Sequence, residues 1–348
     1  MPGHIPLPIL FFFLLVFFYL LHFFSEHYFI PALDKIGDRF KMSSDIAGAT
    51  LMAAGSSAPE LAVMIVSVVK SGHHEAIGVG TIVGSALFNL FIISGAVMVI
   101  KNNAKLVWQP LIRDLIFYSL SVILLIYFFK DGSISFLEAG GFVVGYIIYF
   151  LAMYHWKKIF PYKDIEHLNE KDITPGQENK FEKFLKRIVP SVNNLYIAFF
   201  LSIIIISLLS WALVESAIEI SQILEIPEII IALTIIALGT SVPDLVSSVI
   251  VAKQGRAGMA INNAIGSNIF DILIGLGLPF LLFHLITSSS SIDVSSKDLD
   301  LAFLFLMGSV IILLATFIIS RWRTKRLIGY SLIILYLIYL SFEIVHTM

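Results

Sequence analysis

The sequence predicts an all-α membrane protein of ten transmembrane helices, arranged as two five-helix repeats of opposite orientation. Three observations predict it. The chain has 348 residues, of which 58% are hydrophobic and 14% charged, against about 45–50% and 25% in a soluble domain. The apolar residues fall in ten long runs. One pair of short motifs occurs twice, once in each half.

A span needs about 20 mainly apolar residues. The runs lie at 5–24, 46–69, 76–100, 108–129, 136–155, 191–222, 229–252, 257–286, 299–320 and 327–346. They read as helices, because lipid offers backbone polar groups no partner outside a helix or a closed barrel. They are too long and too continuously apolar for barrel strands. Residues 1–8 hold no Lys or Arg, and no small-x-small signal follows the run to Leu21. The first run therefore reads as a retained span and not as a secretory leader.

The polar stretch 157–190 carries Lys157, Lys158, Lys163, Lys171, Lys180, Lys183, Lys186 and Arg187 around the turn pair Pro175-Gly176. It separates an N-terminal repeat, 1–156, from a C-terminal one, 191–348. Placing this loop in the cytoplasm puts all of the 23 Lys and Arg residues on that side except Lys70, Lys130 and Lys297. The positive-inside rule thus predicts both termini to be extracytoplasmic, in a plasma or inner membrane. A formal net charge of −2 argues against a nucleic-acid binder. The absence of cysteine excludes disulfides, thiolate metal sites and Cys nucleophiles.

Residues Gly55-Ser56-Ser57-Ala58-Pro59-Glu60-Leu61 match Gly239-Thr240-Ser241-Val242-Pro243-Asp244-Leu245, four of seven being identical. Further on, Gly84-Ser85-Ala86-Leu87-Phe88-Asn89 matches Gly266-Ser267-Asn268-Ile269-Phe270-Asp271. The first copy lies on the second and third runs, the second on the seventh and eighth. An odd number of helices between copies inverts one against the other, the pattern of many secondary transporters. Each copy sets Gly and Pro inside an apolar span, where Pro removes a backbone donor. Gly55/Pro59 and Gly239/Pro243 are each expected to unwind a turn and free carbonyls at mid-bilayer. A simple proline kink is the plainer reading of either alone. Two inverted copies, each followed at once by an acid, point to a site.

Glu60, Asp244 and Asp271 are the carboxylates read as lying well inside the runs, while Glu215 and Glu219 sit near an outer end. A charge at the bilayer centre costs about 2.5–3.5 kcal/mol on insertion scales. With no basic partner at that depth, the three acids are either protonated or bound to cations. The groups around them are oxygens: Ser56, Ser57, Thr240, Ser241, Ser85, Ser267, the Asn89 amide and freed carbonyls. Ca²⁺ takes about 6–8 such ligands, and no His or Cys cluster offers a zinc or copper site. Ser85 with Asn89, and Ser267 with Asp271, stand four residues apart on shared helix faces. Taken singly, the serines also suit small-residue helix packing. Trp108, Trp156, Trp211 and Trp322 read as an interfacial belt near helix ends. Glu225 and Glu228 are either a cation-attracting mouth or an ordinary solvated loop.

The stretches AGATLMAAGSSAPELAVMIVSVV and GTIVGSALFNLF resemble the first alpha-repeat of the sodium/calcium exchanger superfamily. ALGTSVPDLVSSVIVAKQGRAGMAINNAIGSNIFDILIGLGLP resembles the second, most closely that of potassium-dependent sodium/calcium exchangers. The resemblance implies an antiporter that exchanges Na⁺ for Ca²⁺ by alternating access, with no cofactor and no enzymatic activity. It implies that Glu60 and Asp244 bind Ca²⁺ and Na⁺ in turn. Ser57 and Ser241 match hydroxyl ligands at the breaks. Ser56, Thr240, Ala53 and Ala237 match positions that give carbonyls or hydroxyls. Ser85, Asn89, Ser267 and Asp271 match a polar ring. Asp271 stands where the potassium-coupled branch associates an acid with K⁺. Similar acids occur in members that need no K⁺, so K⁺ co-transport stays open. Ala86 departs from the Asn of the second copy. The first and sixth helices are the implied moving elements, and the short central loop leaves no room for large regulatory domains.

Two other readings remain. One is a Ca²⁺/H⁺ exchanger of the same superfamily, although GSSAPE and GTSVPD differ from its Asn-containing GNATE-like motif. The other is an intramembrane aspartyl protease using Asp244 and Asp271, two acids that could share a proton. Its Tyr-Asp and Gly-x-Gly-Asp sequences are absent, and Pro31-Ala32-Leu33 is only a superficial match.

Overall fold

The computed structural model describes residues 6–29, 53–70, 74–162, 195–253, 255–287, 291–294 and 300–347. The start of the second run, Pro31-Ala32-Leu33, Lys297 and most of the central loop, from Lys163 through Arg187, lie outside the described residues.

The helices are α1 Leu7–Phe24, α2 Ala53–Ser56, α3 Ala58–Val69, α4 Glu75–Phe88, α5 Ser94–Ile100, α6 Trp108–Phe128 and α7 Phe136–Ile159 in the first half. In the second half they are α8 Leu195–Leu224, α9 Glu228–Ile231, α10 Ala237–Lys253, α11 Ala257–Phe270, α12 Gly277–Thr287, α13 Asp300–Ile319 and α14 Arg326–Thr347. Wider π-helical segments continue α1 (Ser25–Phe29) and join α4 to α5 (Asn89–Ile93), α9 to α10 (Ala232–Ile236) and α11 to α12 (Asp271–Leu276). Among the described residues, eight helices are long and apolar enough to cross a membrane. Among the described residues, the second run contains the shorter apolar helix Ala58–Val69, and in the seventh run α9, a π segment and α10 follow one another from Glu228 to Lys253.

The first proline motif breaks its helix as the sequence predicts. Ser57 leaves helical geometry at φ −87° and ψ 7°, and Pro59 falls in the first turn of α3, where its missing N–H has no partner to lose. The second motif does not break. Helix α10 runs through Pro243, and the irregularity lies upstream in Ala232–Ile236. One proline removes a single backbone donor. A π segment absorbs the remaining misfit without unwinding the chain.

The buried apolar side chains form two clusters. The larger holds α4, α5, α6, α11, α13 and α14 together through Val83, Val97, Leu115, Ile265, Phe303 and Tyr336. The smaller joins α1 and α8 to α3 and to the Ala232–Ile236 segment through Leu14, Phe23, Val63, Leu213 and Ile236. Glycines set the closest crossings. A Cβ on Gly95 would lie 2.8 Å from the Gly329 carbonyl of α14, and one on Gly277 would lie 2.7 Å from Phe142 of α7.

The connectors also pair. The two-stranded sheet of β1 (Ser133–Ser135) and β2 (Ser291–Asp293) sets Ile134 opposite Ile292. His284 bonds the Ile134 carbonyl at 3.0 Å, a tie that holds α12 to β1. A lone bridge joins Lys105 to Arg323, where the Thr324 amide meets the Ala104 carbonyl at 3.0 Å. None of this pairing was anticipated. Nor was the buried ion pair Arg113–Asp114, bidentate at 2.7 and 3.0 Å, whose carboxylate also accepts from Tyr149 at 3.1 Å. Trp211 is a correction to the aromatic belt. It lies mid-helix in α8, because this helix continues past the end of α3, and the Lys70 ammonium sits 5.0 Å over its ring.

Candidate cation-binding site

The polar residues picked out in the sequence converge between α3, α4, α10 and α11. Glu60 lies in the first turn of α3, at the positive end of that helix, which favours a carboxylate. It is 1% exposed, and Asp244 and Asp271 are 3% and 1% exposed. Asp271 is within electrostatic reach of both other acids. Ser57, Ser85, Asn89, Ser241 and Ser267 are fully buried. Such a collection persists in an apolar bundle only if its members satisfy one another or a ligand satisfies them.

They satisfy one another in part. The Ser241 hydroxyl lies 2.9 Å from Ser85 Oγ and 3.5 Å from Glu60 Oε1, so side chains from α10, α4 and α3 meet. The Thr240 hydroxyl lies 3.1 and 3.3 Å from the Ile236 and Ala237 carbonyls and also interacts with Glu60. Ser56, at the end of α2, interacts with Asp244, and Ser57 with Asp271. Ser267 donates to the Ala264 carbonyl at 3.2 Å. Ala53 opens α2 and Ala237 opens α10. All twelve positions singled out from the sequence therefore border this region or the two irregular turns beside it.

What stays unsatisfied is all oxygen. Glu60 Oε2 and Asn89 Oδ1 are buried without a hydrogen-bond partner among the described residues, and Ser57 Oγ and Asp271 Oδ1 are buried with no partner beyond the contact between these two side chains. The carboxylate and amide oxygens among them accept, and the Ser57 hydroxyl can turn a lone pair forward, so the set suits a cation. No group of three His, Cys, Asp or Glu side chains among the described residues closes on one metal point. A single ion here would have to combine carboxylates with hydroxyl, amide and carbonyl oxygens.

The π segments fall at equivalent places. Asn89–Ile93 and Asp271–Leu276 begin at the paired positions Asn89 and Asp271. Such widened turns are frequent at functional sites.

One residue was missed. Asn268 is buried and stands at the centre of the contacts between the copies. Its Nδ2 donates to the Ala86 carbonyl at 3.0 Å, and its Oδ1 accepts from Asn89 Nδ2 at 2.9 Å. The signal was present: Asn268 sits inside the repeated motif where its counterpart is Ala86. The acids near the helix ends are paired, Glu215 with Lys70 and Glu228 with His74 at 2.9 Å, so Glu228 is not a free mouth charge.

The family model described as sodium/calcium exchanger protein matches residues 10–155 and 194–345. Sodium/potassium/calcium exchanger 2 of Gallus gallus is 26% identical, over 90% of this chain and 74% of that relative. Sodium/potassium/calcium exchanger 5 of Homo sapiens is 29% identical, over 90% and 78%. The crystal structure of the H⁺/Ca²⁺ exchanger CAX superposes with a TM-score of 0.68 at 15% identity, over 95% of this chain and 79% of that one. The sodium-calcium exchanger NCX_Mj, soaked with Na⁺ and Sr²⁺, gives 0.58 at 24% identity, over 96% and 98%. At these identities the two structures establish the likeness of fold.

Proposed function

The chain belongs to the sodium/calcium exchanger protein family, and on that premise we propose that it exchanges Na⁺ for Ca²⁺ across a membrane by alternating access. The observation that carries this reading is the meeting of Glu60, Ser241 and Ser85 from three helices, beside the buried acceptors Glu60 Oε2 and Asn89 Oδ1, which have no hydrogen-bond partner among the described residues. Na⁺ and Ca²⁺ are its substrates, as the names of the relatives suggest.

Glu60 and Asp244 are the central ligands, joined by Ser56, Ser57, Thr240, Ser241 and the carbonyls at Ala53 and Ala237. Ser85, Asn89, Ser267 and Asp271 complete the ring. One Ca²⁺ uses both central charges. Several Na⁺ ions replace it by spreading over the same oxygens, and this competition for ligands couples the two fluxes. Each ion shifts the carrier only as far as it binds one orientation better than the other.

The chain is read as ten spans in two inverted repeats, 1–156 and 191–348, with a cytoplasmic loop at 157–190 and both termini outside. Three features support the inversion. The π segments start at paired residues. The close crossings at Gly95 and Gly277, which are equivalent positions, join α5 to α14 and α12 to α7. The connector after α5 pairs with that after α13, as the connector after α6 pairs with that after α12. Helices α1 and α8 pack against each other and onto α3 and the Ala232–Ile236 segment in a cluster apart from the larger core, which supports their assignment as the moving body.

The test is Ca²⁺ uptake into Na⁺-loaded vesicles, with Na⁺, K⁺ and pH varied separately. Uptake driven by the Na⁺ gradient and lost in both Glu60→Gln and Asp244→Asn is expected. Uptake that ignores Na⁺ and follows a pH gradient would establish the Ca²⁺/H⁺ alternative. The relatives are exchangers by name, so the protein is read as a transporter and not as a protease or other enzyme.

A further inference from the structure

The missed residue explains an asymmetry between the copies. A backbone carbonyl can only accept a hydrogen bond. The end of the Asn268 amide that faces the Ala86 carbonyl, at 3.0 Å, is therefore its NH₂. The opposite end is then Oδ1, which can only accept. Whatever meets it must donate, so Asn89 turns its own NH₂ there, at 2.9 Å. The second hydrogen of Asn89 Nδ2 is taken by Ser267 Oγ at 3.3 Å. Both donors of Asn89 are thus held on one side. Its Oδ1 is left on the other side, buried and without a hydrogen-bond partner.

We propose that Asn268 is a positioning residue that locks the Asn89 amide with its oxygen, and not its NH₂, presented to the transported cation. The inference rests on the cation-exchange reading above. An amide is the one ligand type in this cluster that can face a cation the wrong way round. With its NH₂ forward it would repel the ion that its oxygen attracts. A carboxylate has no wrong face.

The repeat shows the same logic in reverse. The counterpart of Asn89 is Asp271, which presents oxygen whichever way it turns. The counterpart of Asn268, the residue that would orient Asp271, is Ala86. An orienting amide is present where the ligand is an amide and absent where it is a carboxylate. Tyr118 of α6, which also interacts with Ser309 of α13, lies beside Asn268. The backbone supplies the fixed point of the chain, since the Ala86 carbonyl has no rotamer.

The experiment is a double-substitution cycle in the full-length protein: N268A, N89D and N268A/N89D beside the parent. The readout is the Ca²⁺ concentration that half-saturates Na⁺-driven uptake in vesicles. N268A is expected to raise it about tenfold, the scale of a coupled polar contact. In the N89D background the same change should move it less than about twofold, because a carboxylate needs no orienting. An equal loss in both backgrounds would mean that Asn268 matters only for packing, and it would overturn the proposal. So would an unchanged N268A. The rise in melting temperature of the purified variants with Ca²⁺ or Na⁺ reads binding without transport. If the parent is stabilised by cations but carries no Na⁺-driven uptake, the exchange reading fails, and the cycle read by melting still decides the role of Asn268. An N89D protein that no cation stabilises counts against an oxygen ligand at position 89 and overturns the proposal.

Discussion

A methyl group on Gly84 is expected to stop transport while leaving the protein folded. A Cβ at this position would lie 2.4 Å from the Leu233 carbonyl oxygen and 2.7 Å from Ala237 Cβ. Carbon in ordinary contact sits about 3.5–4.0 Å away, so α4 and the Ala232–Ile236 segment must part by roughly 1 Å. The obstructing atoms at Leu233 belong to the main chain, and no rotamer change relieves them. Overpacking of this kind costs about 1–3 kcal/mol. The functional effect is larger than the loss of stability suggests. Ser85, the next residue, meets Ser241 at 2.9 Å, and a further ~1 Å carries that pair out of hydrogen-bond range. Na⁺-driven Ca²⁺ uptake in vesicles should fall at least about tenfold in Gly84→Ala, with a melting temperature lower by a few degrees. Gly308→Ala is the control, since nothing described lies within 4 Å of a Cβ there, and it should behave as the parent does. A Gly84→Ala protein that transports at the parental rate with parental Ca²⁺ half-saturation would show that the close approach of these helices does not hold the site together.

Other outcomes follow from the same geometry. Arg113→Met alone leaves the Asp114 carboxylate buried against Tyr149 and should destabilise by about 3–5 kcal/mol. Arg113→Met with Asp114→Leu should recover most of that loss, and thermal melting separates the two outcomes. Lys70→Met removes a pair whose Glu215 partner is more than half exposed, so a change of only about 0–1 kcal/mol is expected. A drop of many degrees would contradict it. If uptake by the parent depends on K⁺, Asp271→Asn should abolish that dependence while Na⁺-driven uptake remains measurable. No K⁺ effect in the parent would remove potassium coupling from the function.

The sequence by itself determined the membrane class, the course of most of the long helices and the candidate residues for the site. Each follows from local chemistry: lipid demands long apolar runs, and a buried acid without a basic neighbour stands out in any such run. The polar candidates border one region, because the repeated motifs carry their own spacing, while Ala53 and Ala237, named from the family resemblance alone, open the helices at the irregular turns beside it. Tertiary structure alone decided how Pro243 is accommodated, since the upstream π segment and the packing beside Gly239 are set by neighbouring helices. It also decided which polar groups are spent on one another. Asp114 drew no attention in the sequence, and only the fold buries it against Arg113 and Tyr149. Asn268 looked like a motif residue with no role, because its partners Ala86 and Asn89 lie in the other half of the chain. A hydrogen bond between two distant segments leaves no periodicity in either, so only their meeting in space reveals it.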